Sequence, residues 1–316
     1  MLEPESGTEL RQAAVRAAAE LMGVTPERIE GLTRMPGGMS NTSFSFLLEG
    51  WAYVVRLPGP GAEHLIDRDN EWAAYRALAG SGLTDEIVAI DQHGRRVTVF
   101  YEGARTADPA SQADLAVAMG LARRLHESRV PLRHRFDFER QVRRYERICR
   151  ATGPAPYPDL ERQRLRTVEL LDLRRRLGVE EVFSHCDLAC DNVLILADGS
   201  ARLIDWEYSA LADPIMDVAM YCIYSFMERD QIDSALGQYL GRQPRAGELA
   251  RLYLYVALEG YLWALWAHHK ARCGQSLGDY GRRTYQYAPE YYGILMRSGL
   301  VAEALEQVRS GGGGGR

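Results

Sequence analysis

The sequence is poor in lysine, in paired cysteines and in long apolar runs. Lys270 is its single lysine among 38 lysine and arginine residues. Any role that usually requires a lysine must therefore fall to an arginine, unless Lys270 serves. The five cysteines are odd in number and include no C-x-x-C pair, which argues against a disulfide framework or a zinc site. We expect reduced thiols and a cytoplasmic protein.

The sequence also lacks a basic excess, because its formal net charge is −5, and a nucleic-acid partner is therefore not expected. The first five residues include two glutamates, and no apolar stretch of the kind found in a secretory signal follows them. The longest apolar run, residues 252–267, is interrupted by Glu259. This run predicts a buried helix rather than a membrane span, so no membrane partner is expected either. The sequence does not indicate an oligomeric state.

What the sequence does contain is an organised stretch over residues 183–207. Residues 193–197 and 201–204 are short apolar runs, and Asp198-Gly199 between them is a strong hairpin signal. A hairpin holds the residues at its open end rigidly. Those residues are Asp187, Asn192 and Asp205.

This trio suits the transfer of a phosphoryl group from a nucleotide such as ATP, which needs a positioned hydroxyl and metal ions that neutralise phosphate charge. The order H-x-D-L-x-x-x-N, a strand pair and then Asp is that of a kinase catalytic loop. Asp187 is accordingly predicted to be the catalytic carboxylate. Asn192 and Asp205 are predicted ligands of Mg²⁺, which prefers oxygen. The alternative is a surface hairpin in which Asp and Asn only cap turns.

The N-terminal part of the chain is predicted to supply the nucleotide site. Strands are expected over residues 29–35, 42–48 and 51–57, and a glycine-containing loop joins the first two. Such a loop can fold its backbone N–H groups over phosphate oxygens, although most Gly-Gly turns are only turns. The predicted nucleotide contacts in and beside this loop are Gly38, Ser40 and Asn41.

Arg56 lies near the end of the third strand and is predicted to contact the nucleotide phosphates. In kinases, a basic residue at this place pairs with a glutamate of the next helix. That helix is expected over residues 67–80, and Glu71 is its best-placed acid; the alternative is a solvated glutamate. Two further strands, over 87–91 and 95–101, complete a sheet of about five strands.

Helical patterns dominate after residue 103. The predicted fold class is α+β, with a five-stranded antiparallel sheet in an N-terminal nucleotide-binding lobe, residues 1–103. A mainly helical catalytic and acceptor-binding lobe is expected over 104–309, followed by a disordered Gly-rich tail over 310–316. Residues 208–212 are predicted to form a loop before a helix that Asp213-Pro214 opens. Asp217 in its first turn is expected to brace the catalytic loop.

An acceptor pocket is predicted on the helix over residues 249–270. Tyr255, Glu259, Trp263 and Trp266 follow one another at steps of four, four and three and so share one side of the helix. An aromatic stripe at this spacing is usually core, but a carboxylate among rings is costly unless it meets a cation or a donor. Ring faces and a carboxylate together suit a quaternary ammonium. Glu207 and Tyr208 are predicted to form the opposite wall.

Five stretches carry a family likeness: residues 37–41 (GGMSN), 53–56 (YVVR), 185–194, 204–208 (IDWEY) and 262–266 (LWALW). Together they resemble the choline/ethanolamine kinase family, and the LicA-type bacterial choline kinases in particular, over residues 37–292. The resemblance implies the fold shared by aminoglycoside phosphotransferases and protein kinases. It also implies Asp187 as base, Asn192 and Asp205 as magnesium ligands, and the aromatic residues as the choline site.

The implied function is an ATP- and Mg²⁺-dependent small-molecule kinase that phosphorylates the hydroxyl of choline. The alternatives are phosphorylation of ethanolamine, of another amino alcohol or of an aminoglycoside, and a catalytically inactive module that binds nucleotide or choline. A protein kinase is not expected, because no Ala-Pro-Glu segment or activation loop follows Asp205.

Overall fold

The computed structural model describes residues 7–36, 39, 41–61 and 65–311. The chain divides into two compact units. Unit 1 comprises Met1–Ala107 and Asp191–Tyr208, and unit 2 comprises Asp108–Cys190 and Ser209–Arg316. Unit 1 therefore includes a segment, residues 191–208, that the sequence-based division assigns to the helical lobe.

Unit 1 is built on an antiparallel sheet of five strands. The strands are β1 (Glu30–Arg34), β2 (Asn41–Leu48), β3 (Trp51–Pro58), β4 (Ile87–Ile90) and β5 (Arg96–Val99), in the order β1-β2-β3-β5-β4. β2 and β3 are joined at Glu49 and Gly50, which both have positive φ, at 53° and 82°. This turn geometry matches the right-handed twist of a hairpin. The predicted α+β class and the five-stranded sheet are confirmed.

Two helices complete this part of unit 1. α1 (Gly7–Met22) buries an alanine face against Phe44, Phe46 and Val55 of the sheet. Small side chains on α1 let its backbone approach the sheet closely, while the strands supply the bulk of the core. α2 (Arg68–Leu78) is capped by Asp67, whose carboxylate accepts the N–H groups of residues 69 and 70.

The predicted hairpin is present in unit 1 as part of a three-stranded sheet. Its strands are β6 (Arg105–Thr106), β8 (Val193–Ile195) and β9 (Ala201–Leu203), in the order β6-β8-β9. Gly199 in the turn has φ 84°, and Ser200 donates its N–H to Asp198 Oδ1 at 2.8 Å. Beyond β9, the buried Trp206 donates from Nε1 to Thr84 Oγ1 at 2.8 Å, which anchors the segment that contains Asp205.

Unit 2 is mainly helical. Its helices are α3 (Gln112–Glu127), α4 (Phe138–Thr152), α5 (Leu160–Leu177), α6 (Pro214–Tyr224), α7 (Arg229–Leu240), α8 (Ala246–Arg272), α9 (Tyr280–Arg297) and α10 (Leu300–Gly311). It also contains an antiparallel strand pair, β7 (Val182–Ser184) with β10 (Ala210–Ala212). The prediction of a loop over 208–212 is therefore wrong at residues 210–212. The local sequence there is only weakly typical of a strand, and the strand forms because it pairs with β7.

α8 forms the centre of unit 2 and is buried along most of its 27 residues. It lies so close to α9 that a Cβ on Gly260 would be 2.9 Å from Tyr287 Cβ and 3.0 Å from Thr284 O. Only glycine permits this separation of the helices. The apolar run in α8 is thus explained by contacts with other helices.

No helix in the described ranges has the length and apolar character needed to cross a membrane. The predicted Gly-rich tail begins at Ser310, and α10 includes Ser310 and Gly311. The rest of that tail, residues 312–316, lies outside the described residues.

Candidate active site

One buried carboxylate holds the loop that follows β7 in unit 2. Asp217, in the first turn of α6, accepts the backbone N–H of His185 at Oδ2 and that of Cys186 at Oδ1, each at 2.7 Å. His126 Nε2 of α3 lies 2.9 Å from Oδ2. Burial alone would raise the pKa of Asp217, but its bonds to His126 and His185 outweigh burial and lower it. The predicted bracing role of Asp217 is confirmed.

This braced loop presents Asp187. Cys186, directly before it, has φ 61°, in the left-handed region that non-glycine residues rarely adopt. Asp187 is half-buried, and its carbonyl accepts the N–H of Ala189 at 2.8 Å. A loop that is both strained and held by two charge-assisted hydrogen bonds fixes the position of the following carboxylate, as a general base requires.

In unit 1, the hairpin brings the backbones of the two predicted magnesium ligands together. Asn192 ends a 3₁₀ turn, and its carbonyl accepts the N–H of Ile204 at 3.0 Å. The next residue, Asp205, has φ 71°. The carboxylate of Asp205 accepts from Asn41 Nδ2 at 3.3 Å and also pairs with Arg56. Asp205 is therefore held by strands β2 and β3 as well as by its own turn.

Asp205 belongs to a group of buried charges in unit 1 that we name the ion cluster. Three guanidinium groups and three carboxylates come from β3, α2, β5 and the segment after β9, so their charges balance. The members are Arg56, Arg68, Arg96, Glu71, Asp205 and Glu207.

Two glutamates of the ion cluster are bonded on several sides. Glu71 accepts from Arg68 at 2.5 Å and from Arg96 at 3.2 Å. Glu207 accepts from Arg56 at 2.6 Å and lies 3.5 Å from Arg68. The expected pair between Arg56 and Glu71 is present at 3.9 Å, but the closer partners of Arg56 are Asp205 and Glu207.

The electrostatics of Arg56 follow from this arrangement. Burial favours its neutral form, but the carboxylates of Asp205, Glu207 and Glu71 outweigh burial and raise the pKa of Arg56 well above its usual range. Arg56 therefore keeps its charge although it is buried. Burial and Asp205 together raise the pKa of Glu207, against the opposing effect of Arg56.

The acids of the ion cluster also offer oxygens to a cation. One carboxylate oxygen from each of Glu71, Asp205 and Glu207 lies within 4.8 Å of the other two. Oxygen donors of this kind fit Mg²⁺. The Asp205 side chain is 18% exposed, whereas those of Glu71 and Glu207 are 0% and 3% exposed. Asp205 is therefore the most accessible of the three to an ion. Glu207 belongs to the ion cluster, and its predicted place in the wall of an acceptor pocket stays a prediction.

The predicted aromatic side of α8 forms a ring cluster in unit 2. Trp263 and Trp266 pack edge to face with centroids 5.9 Å apart, and Trp266 packs in the same way against Tyr280 of α9 at 6.2 Å. The ammonium of Lys270, the single lysine, lies 6.0 Å from the Trp266 ring centroid. The indoles are only 4% and 3% exposed, as the core interpretation expects. Their role in an acceptor site therefore stays a prediction.

Tyr255, also on this side of α8, serves packing in unit 2. Its hydroxyl accepts from Arg174 Nε at 2.9 Å, and the ring packs near Phe138. Tyr208 is buried at the end of the hairpin segment. Its predicted contact with an acceptor stays a prediction.

Glu259 lies among these groups and is nearly fully buried, with 1% of its surface exposed. Its Oε2 makes no hydrogen bond to any described residue. Burial, reinforced by Asp217 and Asp187, raises the pKa of Glu259 well above its usual range. Asp187 and Glu259 also raise the pKa of Tyr280, in addition to the larger effect of burial. The catalytic loop, the buried acid and the ring cluster therefore share one electrostatic environment.

Sequence reasoning missed several members of these groups. Arg68 precedes Glu71 by three residues, a spacing at which side chains of a helix meet, so this ion pair could have been predicted. The pair of Arg96 with Glu71 could not, because the two residues are far apart in the sequence. Tyr280 opens a tyrosine-rich helix, and only the packing of α9 on α8 shows its contact with Trp266. The predicted loop contacts Gly38 and Ser40 lie outside the described residues.

Known proteins are similar to this chain over most of its length. Protein LicA from Haemophilus influenzae is 26% identical over 260 residues, which cover 77% of this chain and 75% of the relative. A probable ethanolamine kinase from Arabidopsis thaliana is 22% identical over 287 residues, covering 79% and 75%. The crystal structure of choline kinase LicA from Streptococcus pneumoniae superposes with a TM-score of 0.78 at 25% identity, covering 90% and 99%.

These similarities confirm the predicted kinase-like fold and the resemblance to choline/ethanolamine kinases. A family model described as "Phosphotransferase enzyme family" matches residues 31–255, which is more than half of the chain. The chain therefore belongs to the phosphotransferase enzyme family.

Proposed function

We propose that this phosphotransferase is a kinase that moves the γ-phosphoryl group of ATP to the hydroxyl of choline, giving phosphocholine. Membership of the family supports phosphoryl transfer, and the similarity to the choline kinase LicA of S. pneumoniae supports an amino-alcohol acceptor. The observation that supports the choice of acceptor lies in unit 2. There Trp266 packs edge to face against both Trp263 and Tyr280, and the buried acid Glu259 lies one turn before Trp263 on α8.

In this proposal, Asp187 orients the acceptor hydroxyl and takes its proton as the bond to phosphorus forms. The brace from Asp217 to the two preceding amides keeps Asp187 in place, so little reorganisation is needed during the reaction. General-base assistance of this kind contributes about 10²- to 10⁴-fold in rate.

The residues of unit 1 are proposed to serve the nucleotide. Asn192 and Asp205 would hold Mg²⁺, which when bound neutralises phosphate charge. Arg56 contacts phosphate oxygens, and Glu71 helps to position it through the ion cluster. Because Arg56 keeps its charge when buried, it can fill the role that a lysine has in other kinases.

The acceptor site is proposed to use ring faces and negative charge. A quaternary ammonium has no N–H to donate, so it is held by aromatic faces and by a nearby carboxylate. Trp263, Trp266 and Tyr280 supply rings, and Glu259 supplies the acid. A desolvated ring face contributes about 0.5 to 2 kcal/mol.

A substrate panel tests the proposal. The purified chain is incubated with ATP and Mg²⁺ and with choline, ethanolamine, other amino alcohols or an aminoglycoside, and ADP formation is followed with the phosphorylated product identified by mass. We expect choline to give the highest kcat/KM. No ADP formation with any acceptor, although ATP binds, would support an inactive module instead. ADP formation at the same rate with and without choline would rule out choline as the acceptor.

Ethanolamine is the second candidate acceptor. A primary ammonium needs hydrogen-bond acceptors, and Glu259 Oε2 is a buried oxygen without a partner among the described residues. The similarity to a probable ethanolamine kinase from A. thaliana points the same way. A higher kcat/KM for ethanolamine than for choline in the same panel would select this candidate.

A further inference from the structure

Glu259 differs from the other buried acids in its surroundings. Among the described residues, no salt bridge joins its carboxyl group to a basic side chain, and the charges that act on it are acidic. The carboxyl group is nearly fully buried in the middle of α8, and Oε2 lacks a hydrogen-bond partner among the described residues. A buried polar group without a hydrogen-bond partner lowers the stability of the fold. A carboxylate kept in this position without a local function is therefore unexpected.

The groups that face Glu259 are acidic or neutral. The charges that act on its carboxyl are Asp217 and Asp187, and its own field reaches further groups on α6, α9 and the catalytic loop. Among the described residues, the groups that these interactions connect to Glu259 are Asp187 and Cys186 in the loop, Asp217 and Cys222 on α6, and Tyr280 on α9.

The other helices that pack on α8 place their polar groups at other positions of it. Each contact is made by an α8 residue two or more positions away from Glu259. Glu146 of α4 bonds to Tyr261, Arg174 of α5 to Tyr255, Asp233 of α7 to Tyr253, and Gln307 of α10 lies at Gly247.

We propose that Glu259 is the counter-ion of the acceptor's ammonium group and that it changes from carboxylic acid to carboxylate when this cation binds. In this step the O–H bond of the carboxyl group breaks and the proton passes to the solvent buffer. No covalent bond forms, and the ammonium group keeps its charge. The inference rests on the proposed function to the extent that it requires a cationic acceptor beside Trp263, one turn further along α8.

The physical reason is the balance between burial and charge. Without a cation, burial and the two neighbouring acids favour the neutral acid. An opposite charge within about 4 to 6 Å favours the ionised form. Because cation and proton then compete, the affinity for the cation must rise with pH, by up to about tenfold per pH unit while free Glu259 is protonated.

The test is calorimetric titration of the full chain with choline, in phosphate and in Tris, whose ionisation enthalpies differ. The difference between the observed binding enthalpies counts the protons exchanged. We expect release of about one proton per choline bound at the low end of a pH 6–9 series, and a Kd that falls as pH rises. Glu259→Gln should bind with no proton release and with a Kd that does not depend on pH.

A matched control is Glu290→Gln, which removes an exposed acid of α9 and should leave the proton count unchanged. Choline binding without proton exchange, or release that persists in Glu259→Gln, would overturn the proposal while choline phosphorylation still stood. If ethanolamine binds and choline does not, only the choice of choline fails, and the same titration with ethanolamine decides the role of Glu259. Binding of neither amine would overturn the proposal.

A second measurement covers the case in which Glu259→Gln does not fold, as circular dichroism would show. Infrared difference spectra of the unaltered chain, with and without choline, report the C=O stretch of a protonated carboxyl group. Loss of this band on choline binding supports the ionisation of Glu259. An unchanged band in a sample that binds choline rules it out.

Discussion

The two units differ in the partners that they offer to buried acids. In unit 1, Glu71 and Glu207 each accept hydrogen bonds from arginines, and their shortest contacts are 2.5 Å and 2.6 Å. In unit 2, Glu259 has no positive partner and one oxygen without a hydrogen bond to any described residue. The buried glutamates of the ion cluster are thus paired with arginines, whereas burial and two neighbouring acids raise the pKa of Glu259.

Asp217 shows that burial alone does not decide the outcome. It is as deeply buried as Glu259, yet its pKa is lowered where that of Glu259 is raised. The difference is two backbone amides and His126, which stabilise the ionised form of Asp217. Hydrogen-bond donors, rather than depth, therefore decide whether the pKa of a buried carboxyl group is lowered or raised here.

The largest expected effect concerns the catalytic loop of unit 2. Asp187→Asn removes the proposed base while keeping the size of the side chain, so kcat should fall about 10²- to 10⁴-fold with ATP affinity nearly unchanged. Steady-state kinetics and nucleotide titration measure both. Asp198→Asn, in the exposed hairpin turn, is the control and should retain activity. A kcat within tenfold of the unaltered chain would remove Asp187 from the mechanism.

The next effect tests the paired acids of unit 1. Arg56→Met leaves Asp205 and Glu207 without their guanidinium, which should cost about 3 to 5 kcal/mol in the free energy of unfolding. Urea denaturation measures the loss, and the double variant Arg56→Met/Glu207→Gln should recover part of it.

Arg28→Met is the control for this second prediction. It breaks a pair with Glu49 whose side chains are 48% and 68% exposed, and the cost should stay below about 1 kcal/mol. Equal losses in Arg56→Met and Arg28→Met would show that burial of the ion cluster does not matter to stability.

The third prediction sharpens the contrast between Glu259 and Asp217 through pH. An acid whose pKa is raised in the folded state stabilises the fold when the pH is below its pKa in the unfolded chain. This contribution is lost as the pH rises through the folded-state pKa. Gln cannot ionise, so Glu259→Gln should be stabilised relative to the unaltered protein as pH rises from 5 to 8. In urea denaturation the difference in the free energy of unfolding should grow by up to about 1.4 kcal/mol per pH unit while Glu259 of the folded chain stays protonated.

Asp217→Asn should show the opposite trend in the same denaturation series. Because the pKa of Asp217 is lowered in the folded state, its carboxylate stabilises the fold when the pH is above its pKa in the unfolded chain. This contribution is lost as the pH falls through the folded-state pKa. The variant should be most destabilised near neutral pH. Parallel pH trends in the two variants would contradict the comparison.

The smallest expected effect concerns the ring cluster. Trp263→Ala removes one aromatic face, worth about 0.5 to 2 kcal/mol, and should raise the KM for choline about 2- to 30-fold and that for ethanolamine less. Trp51→Ala removes an indole that is 73% exposed and serves as the control. An equal rise for both acceptors would assign Trp263 to the core alone.

Much of the fold was predictable because its signals are local. Asp198-Gly199 between two apolar runs specifies a tight turn, and alternation along β2 specifies a strand with one buried face. The order of Asp187, Asn192 and Asp205 along this hairpin was visible for the same reason. Where local preference was weak, as at residues 210–212, pairing with a distant strand decided the structure.

By itself, then, the sequence determined the sheet, the hairpin, and the order of Asp187, Asn192 and Asp205 along the chain. Only the tertiary structure decided which charges meet. It placed Arg96 and Arg68 on Glu71, put Glu207 in the ion cluster, and left Glu259 beside two acids. Hydrogen-bonded turns depend on neighbouring residues, whereas the ionisation of a buried acid depends on all the groups that packing brings around it.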